Sequence, residues 1–180
     1  MEVKNVEGFD FEELKQAVLA GKLFIYPTDT VYGIGCDANF VDSVEKIKEL
    51  KKRDRDKPRS IIAPSLDWVK ENCIVDVDLE KYLPGKYTLI LKKKNPDFLK
   101  QVAVGDSLGV RIPDNDFCKK LQKIGKPFVT TSINLSGEPV ATKISDVQDS
   151  IGNEVDFIID SGELSGKSST LVIGGKEIER

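Results

Sequence analysis

The stretch FIYPTDTVYGIGCDANFVDSVEKIKELKKRDRDKPRSIIA, from Phe24 to Ala63, concentrates residues that folding alone does not select. The apolar run from Leu23 to Tyr26 reads as a short buried strand that Pro27 ends, because proline fixes φ and donates no backbone hydrogen bond. Thr28, Asp29, Thr30 and Gly33 then place hydroxyls and backbone amides at the strand exit. A helix follows, with Asp42 positioned to cap it and Val44 and Ile47 on its apolar face. Its end delivers Lys51, Lys52 and Arg53, and the basic run continues through Arg55, Lys57 and Arg59 into a second strand, Ser60 to Ala63. Cations in a last helical turn complement the helix dipole without any ligand. Their continuation past the helix onto a strand points to an anionic ligand.

Working outward, strands and helices alternate through most of the chain. Asp10 with Glu13 three residues later opens a helix in the manner of a capping box, Phe11, Leu14 and Val18 share its face, and Gly21 stops it. Asp67 starts another helix, and Val75 to Leu83 carries weak helical spacing. Pro84-Gly85 marks a turn before a strand at Tyr87 to Leu91, which ends in Lys92, Lys93 and Lys94, a solubilising edge. Gly109 to Pro113 is an apolar strand holding Arg111, and a charge in that setting needs a partner or a ligand. Asn115 to Ile124 is a helix ended by Gly125, and Pro127 to Ser132 is a strand that exits into Asn134. A short helix over Asp146 to Ile151 and strands over Val155 to Ile159 and Ser168 to Ile173 complete the pattern. This order predicts an α/β (α+β) fold, a single domain over residues 1–180 built on one twisted, mixed sheet with helices packed on it.

Composition sets limits on function. The 180 residues are 39% hydrophobic and 32% charged, ordinary for a globular domain. A net charge of −3 gives no global attraction to nucleic acid or to an anionic membrane. Cys36, Cys73 and Cys118 are far apart and histidine is absent, which removes zinc sites and any Ser-His-Asp or Cys-His nucleophile. The spacing fits reduced thiols in a cytoplasmic protein. No apolar run reaches the roughly 20 residues a membrane-spanning helix needs. The segment GELSGKSS, 162–169, imitates the end of a P-loop, but three residues separate Gly162 and Gly166 where four are required, and Thr170 to Ile173 reads as strand rather than helix. What remains is a set of threonine, serine, asparagine, lysine and arginine residues at strand exits, suited to holding phosphate and carboxylate by charge-assisted hydrogen bonds.

Six motifs in order, PTDTVYG, Lys51-x-Arg53 with Lys57-Pro58 four residues on, PGKYT, RIP, SINLSG and SST, run from about Leu23 to Thr170. With these the chain resembles the YrdC-like (TsaC-type) threonylcarbamoyl-AMP synthases. The resemblance implies a large concave basic cavity and a nucleotidyltransferase that joins L-threonine, bicarbonate or CO2, and ATP into threonylcarbamoyl-AMP, releasing pyrophosphate. The product would feed threonylcarbamoyladenosine modification of tRNA by a downstream transferase. Carried over by motif, Lys51 and Arg53 are the catalytic cations. Thr30, Arg111 and Ser169 bind threonine, and Arg53, Lys57, Ser107, Ser132, Asn134 and Arg180 bind ATP. Magnesium is expected with ATP, through phosphate oxygens and waters, and no protein metal site is implied.

The chain departs from the family pattern at Ile62, where histidine is common, at Lys86, where proline is common, and at Val140-Ala141-Thr142, where a serine-proline-threonine run is common. Arg180 is the final residue, and no additional C-terminal domain is expected. A competing reading is a non-catalytic RNA-binding module using the same basic cavity, against which stand the acidic balance and the missing aromatic platforms. The carbamoyl-adenylate chemistry of hydrogenase-maturation proteins is a second, but those are long chains with cysteine-rich zinc segments.

Overall fold

The computed structural model describes residues 2–6, 8–51, 59–134 and 139–179. In chain order the strands are β1 (Glu2–Asn5), β2 (Phe24–Pro27), β3 (Tyr32–Gly35), β4 (Ser60–Ile62), β5 (Cys73–Ile74), β6 (Tyr87–Lys93), β7 (Ser107–Arg111), β8 (Phe128–Ser132), β9 (Phe157–Asp160), β10 (Thr170–Ile173) and β11 (Lys176–Ile178). The helices are α1 (Phe11–Leu19), α2 (Val41–Leu50), α3 (Leu66–Asn72), α4 (Leu79–Tyr82), α5 (Asp116–Lys123) and α6 (Asp149–Gly152), with a 3-10 turn at Ile144–Asp146. The strands form one mixed sheet in the order β1-β9-β2-β3-β8-β4-β7-β6-β10-β11, with β5 paired to β6. Parallel pairs (β1 with β9, β9 with β2, β4 with β7, β6 with β10) are interleaved with antiparallel ones, as the alternation of elements predicted.

Strand alternation sends successive side chains to opposite faces, so the register decides what each face carries. One face is mainly apolar. Ile25 lies beside Ile34, Ile61 beside both Val129 and Val110, and Leu89 beside both Val110 and Val172. All are buried in one cluster with Val44 and Ile47 of α2, Val69 of α3 and Leu79 of α4. The other face is divided. Phe24, Tyr26, Ile62 and Phe128 join Leu14 and Val18 of α1 and Phe117, Cys118 and Leu121 of α5 in an aromatic-rich core. Further along the same strands the register aligns Gly33 with Ser132, and Ser60 with both Thr130 and Gly109. That half of the face is hydroxylic, and the aromatic cluster does not extend over it.

Several local expectations are corrected. Helix α2 is capped at Phe40 with no side-chain hydrogen bond, and Asp42 sits in its first turn. Helix α3 begins one residue earlier than Asp67, with Ser65 accepting from the Trp68 amide at 3.1 Å. Of Val75 to Leu83, only Leu79–Tyr82 is helical. Asp146 closes the 3-10 turn instead of opening a helix. In α1, Asp10 accepts from the Glu12 and Glu13 amides, but the Glu13 carboxylate pairs with Lys4 on β1 rather than reaching back to the cap. Lys93 is 1% exposed and its ammonium donates to the carbonyls of Pro96, Phe98 and Ala103, so the lysine run is not simply a solvated edge.

Candidate active site

The hydroxylic half of the sheet face opens into a cavity whose walls include Thr30, Arg59, Ser60, Thr88, Arg111, Thr130, Ser132 and Ser169. Ser60 keeps its place in that lining because its strand neighbour Gly109 has no side chain: an added Cβ there would meet Ser60 Oγ at 2.5 Å. Two walls are built from residues far apart in sequence.

The first wall is the turn between β2 and β3 with the end of β7. Thr28 and Thr30 are buried, and Thr28 Oγ1 donates to the Val31 carbonyl at 2.7 Å. With that proton committed, the 2.9 Å contact between the two hydroxyls has Thr30 donating to Thr28. Arg111 Nη2 donates to Thr30 Oγ1 at 3.2 Å and to Asp29 Oδ1 at 2.8 Å. Both hydrogens of Nη2 are therefore used; Nε has no partner among the described residues but is itself buried, so Nη1 is the accessible end of the guanidinium for an anion. Thr30 Oγ1 keeps one lone pair, so toward a ligand it is an acceptor. Asp29 is the partner that the strand arginine required, and the sequence reading did not identify it. Its other oxygen accepts from the Asp114 amide at 3.1 Å.

The second wall is the exit of β8 with the end of α2. Lys51 is 2% exposed, and its ammonium donates to the Ser132 carbonyl, to Thr131 Oγ1 at 3.3 Å and to Asn134 Oδ1 at 3.3 Å. Ser132 Oγ also donates to Asn134 Oδ1, at 2.9 Å. Lys51 thus braces the strand exit from behind. Arg59 is buried in the cavity wall next to Ser60, a placement that the sequence showed only as one member of a basic run.

Across the cavity Ser169 Oγ and Thr88 Oγ1 are 2.7 Å apart and both buried. Thr88 was not singled out from sequence, where it is one polar residue in an alternating strand. Ser168 and Ser169 end the 161–169 loop, which is fastened to the site by Tyr32. The phenol donates to the Gly162 carbonyl at 2.8 Å and accepts from the Ser161 amide at 2.9 Å, and its burial pushes its pKa up. The loop leads into strand β10, as expected against a P-loop. Ser107 lies outside the cavity lining, exposed at the start of β7 with its hydroxyl 3.3 Å from Asp106 Oδ1. Arg53, Lys57 and Arg180 lie outside the described residues. Cys36 and Cys118 are buried, which pushes both thiols up and leaves them unsuited to nucleophilic work.

Fold and site together define a mixed α/β domain that offers, on one sheet face, an arginine for an anion, a threonine acceptor beside it and a second arginine across a floor of hydroxyls. The chain belongs to the Sua5/YciO/YrdC family, whose model, described as "Telomere recombination", matches residues 16–178. The threonylcarbamoyl-AMP synthase of Vibrio campbellii is 30% identical over 167 residues, covering 88% of this chain and 90% of that protein. The structure of P. abyssi Sua5 complexed with L-threonine superposes with a TM-score of 0.82 at 28% identity, covering 96% of this chain and 54% of that one. This chain therefore spans little more than half the length of Sua5. E. coli YciO superposes with a TM-score of 0.78 at 24% identity, over 96% of this chain and 87% of YciO, a likeness of fold.

Proposed function

We propose that the chain is an L-threonylcarbamoyladenylate synthase, a nucleotidyltransferase of the cytoplasm whose product is used by a tRNA threonylcarbamoyltransferase. The observation that carries the reading is the matched pair at the first wall. Arg111 presents Nη1 to a carboxylate, and Thr30 presents a lone pair to an ammonium. An α-amino acid supplies both groups on adjacent bonds. The relatives named threonylcarbamoyl-AMP synthase, and the Sua5 structure with L-threonine, support threonine as that amino acid.

In this reading Ser169 and Thr88 close the amino-acid end. The nucleotide lies along the second wall, with Ser132, Asn134 and Arg59 as phosphate or sugar contacts and Arg53, Lys57 and Arg180 as further ATP ligands. Lys51 acts by holding Ser132 and Asn134. The threonine amine loses a proton and forms an N–C bond to CO2, derived from bicarbonate. A carbamate oxygen then attacks the α-phosphorus as the bond to the bridging oxygen breaks and pyrophosphate leaves. Fixed cations stabilise the charge that develops on the phosphoryl oxygens without reorganising. The buried carboxylate nearest the amino-acid end, Asp29, is engaged by Arg111, so magnesium would be held by ATP's phosphate oxygens and waters, neutralising their charge.

Purified protein with ATP, magnesium, bicarbonate and L-threonine is expected to release pyrophosphate, and to release none when threonine is omitted or replaced by serine. Release that is indifferent to the amino acid would overturn the assignment.

A further inference from the structure

We propose that Asp29 is a positioning residue that makes the Arg111 subsite accept the carboxylate of an amino acid and reject a phosphate or other dianion. The proposal rests on the amino-acid reading of that subsite. Asp29 and Arg111 are both nearly covered, with side chains 5% and 8% exposed, and they meet at 2.8 Å. The carboxylate is held from both sides, Oδ1 by Arg111 and Oδ2 by the Asp114 amide. It therefore cannot swing away to let the arginine act as a bare cation.

The charge balance follows from that clamp. The buried pair is neutral, so an amino acid, itself a zwitterion, leaves the subsite neutral when its carboxylate meets Nη1 and its ammonium meets Thr30. A dianion at the same place leaves two uncompensated negative charges beside Asp29, and charges in a covered site repel far more strongly than in water. Selectivity here comes from a repulsive element as much as from the attractive one. The consequence matters because the same cavity has a second arginine, Arg59, on its other wall. Asp29 keeps a polyphosphate on that wall and leaves the amino-acid end free.

The test is competition against L-threonine binding, measured by calorimetry on the intact protein at matched ionic strength, with acetate as the single charge and sulfate as the fixed dianion. In the wild-type protein acetate is expected to displace threonine and sulfate is not. In Asp29→Asn, which keeps shape and removes the charge, the ratio of sulfate to acetate competition should rise about tenfold or more, the effect of roughly 1.4 kcal/mol. A merely structural role would weaken all three ligands together and leave the ratio unmoved, which overturns the proposal. Sulfate displacing threonine from the wild type as well as acetate does would overturn it without any variant, so the outcome does not depend on how Asp29→Asn folds. If the wild type takes up no L-threonine, the amino-acid reading fails and takes this assignment with it. Uptake with an unchanged ratio removes the assignment alone.

Discussion

The phenol of Tyr32 donates to the carbonyl of Gly162 at 2.8 Å, tying the first residue of β3 to a loop that follows β9. Because the same oxygen accepts from the Ser161 amide, one side chain satisfies two backbone groups of the loop that carries Ser168 and Ser169 to the cavity. Tyr32→Phe removes both bonds while keeping the ring. Ser161 and Gly162 are exposed, so water can replace the lost partner, and the expected cost is about 0.5 to 1.5 kcal/mol, the net range for an ordinary hydrogen bond. Amide exchange at Ser161 and Gly162 should quicken, and affinity for the amino-acid substrate should fall several-fold more than affinity for ATP. Equal protection in the two proteins would show that the loop is held by other contacts.

The lysine run after β6 gives a second expectation. Lys93 donates to three carbonyls within the 94–104 segment, and its burial pushes the ammonium below its ordinary pKa. Lys93→Met preserves most of the volume and strands all three acceptors. A destabilisation of about 3 kcal/mol is expected, because a buried polar cluster that loses one partner pays desolvation for the rest. Lys92→Met and Lys94→Met, at more exposed positions, should each cost less than about 1 kcal/mol. Similar losses at all three in denaturant titrations would contradict the distinction.

The same contrast shows what the sequence could reveal. Apolar runs with period two, a capping aspartate at residue 10 and a proline-glycine turn are local signals, and the strands and helices they mark are present. Strand β3 is not local in this sense. Its sequence Tyr32-Gly33-Ile34-Gly35, with glycine at alternate positions, carries a weak strand signal, and it is a strand because β2 and β8 pair with it on either side. The cavity was legible in part, because an arginine in an apolar strand and hydroxyls at strand exits are unusual anywhere. Its wiring was not. Asp29 and Arg111 are 82 residues apart, and Thr88 and Ser169 are 81 apart, so only the register of the sheet brings each pair together. A lysine among lysines likewise carries no sign that it alone is covered.

Two glycines on the sheet should respond differently to alanine. At Gly35 an added Cβ would lie 1.9 Å from the Val129 carbonyl oxygen and 2.7 Å from the Phe128 ring, so β3 and β8 would have to part. Gly35→Ala is expected to cost about 3 kcal/mol or more, at the upper end for overpacking. At Gly109 the nearest obstacle is Ser60 Oγ, the end of a side chain that can rotate, with Ser60 Cβ and Cα behind it at 3.1 and 3.3 Å, so a shift of a few tenths of an ångström is needed but no strand has to part. Gly109→Ala should cost less, about 1 to 2 kcal/mol, and should displace Ser60, which lines the cavity, so ligand affinity should fall while the fold persists. Denaturant midpoints and ligand titrations on the two variants separate the cases, and equal stability losses would refute the view of Gly109 as a site glycine.

The last expectation concerns alkaline pH. Burial pushes the Cys73 thiol up to about 11 from an ordinary 9.0, against the opposing pull of Lys94 and Lys93. The folded protein then holds this proton at a pH where the unfolded chain has released it. The stability linked to Cys73 is therefore complete below about pH 9 and is lost as pH rises toward 11. Cys73→Ala loses packing at every pH but has no proton to release. The wild type should be more stable than the variant at pH 8, and the gap should narrow steadily between pH 9 and pH 11 as the window predicts. Other titrating groups are common to both proteins and cancel in the difference. A gap that stays constant across urea titrations at these pH values would mean that the thiol is solvated enough to keep its ordinary acidity.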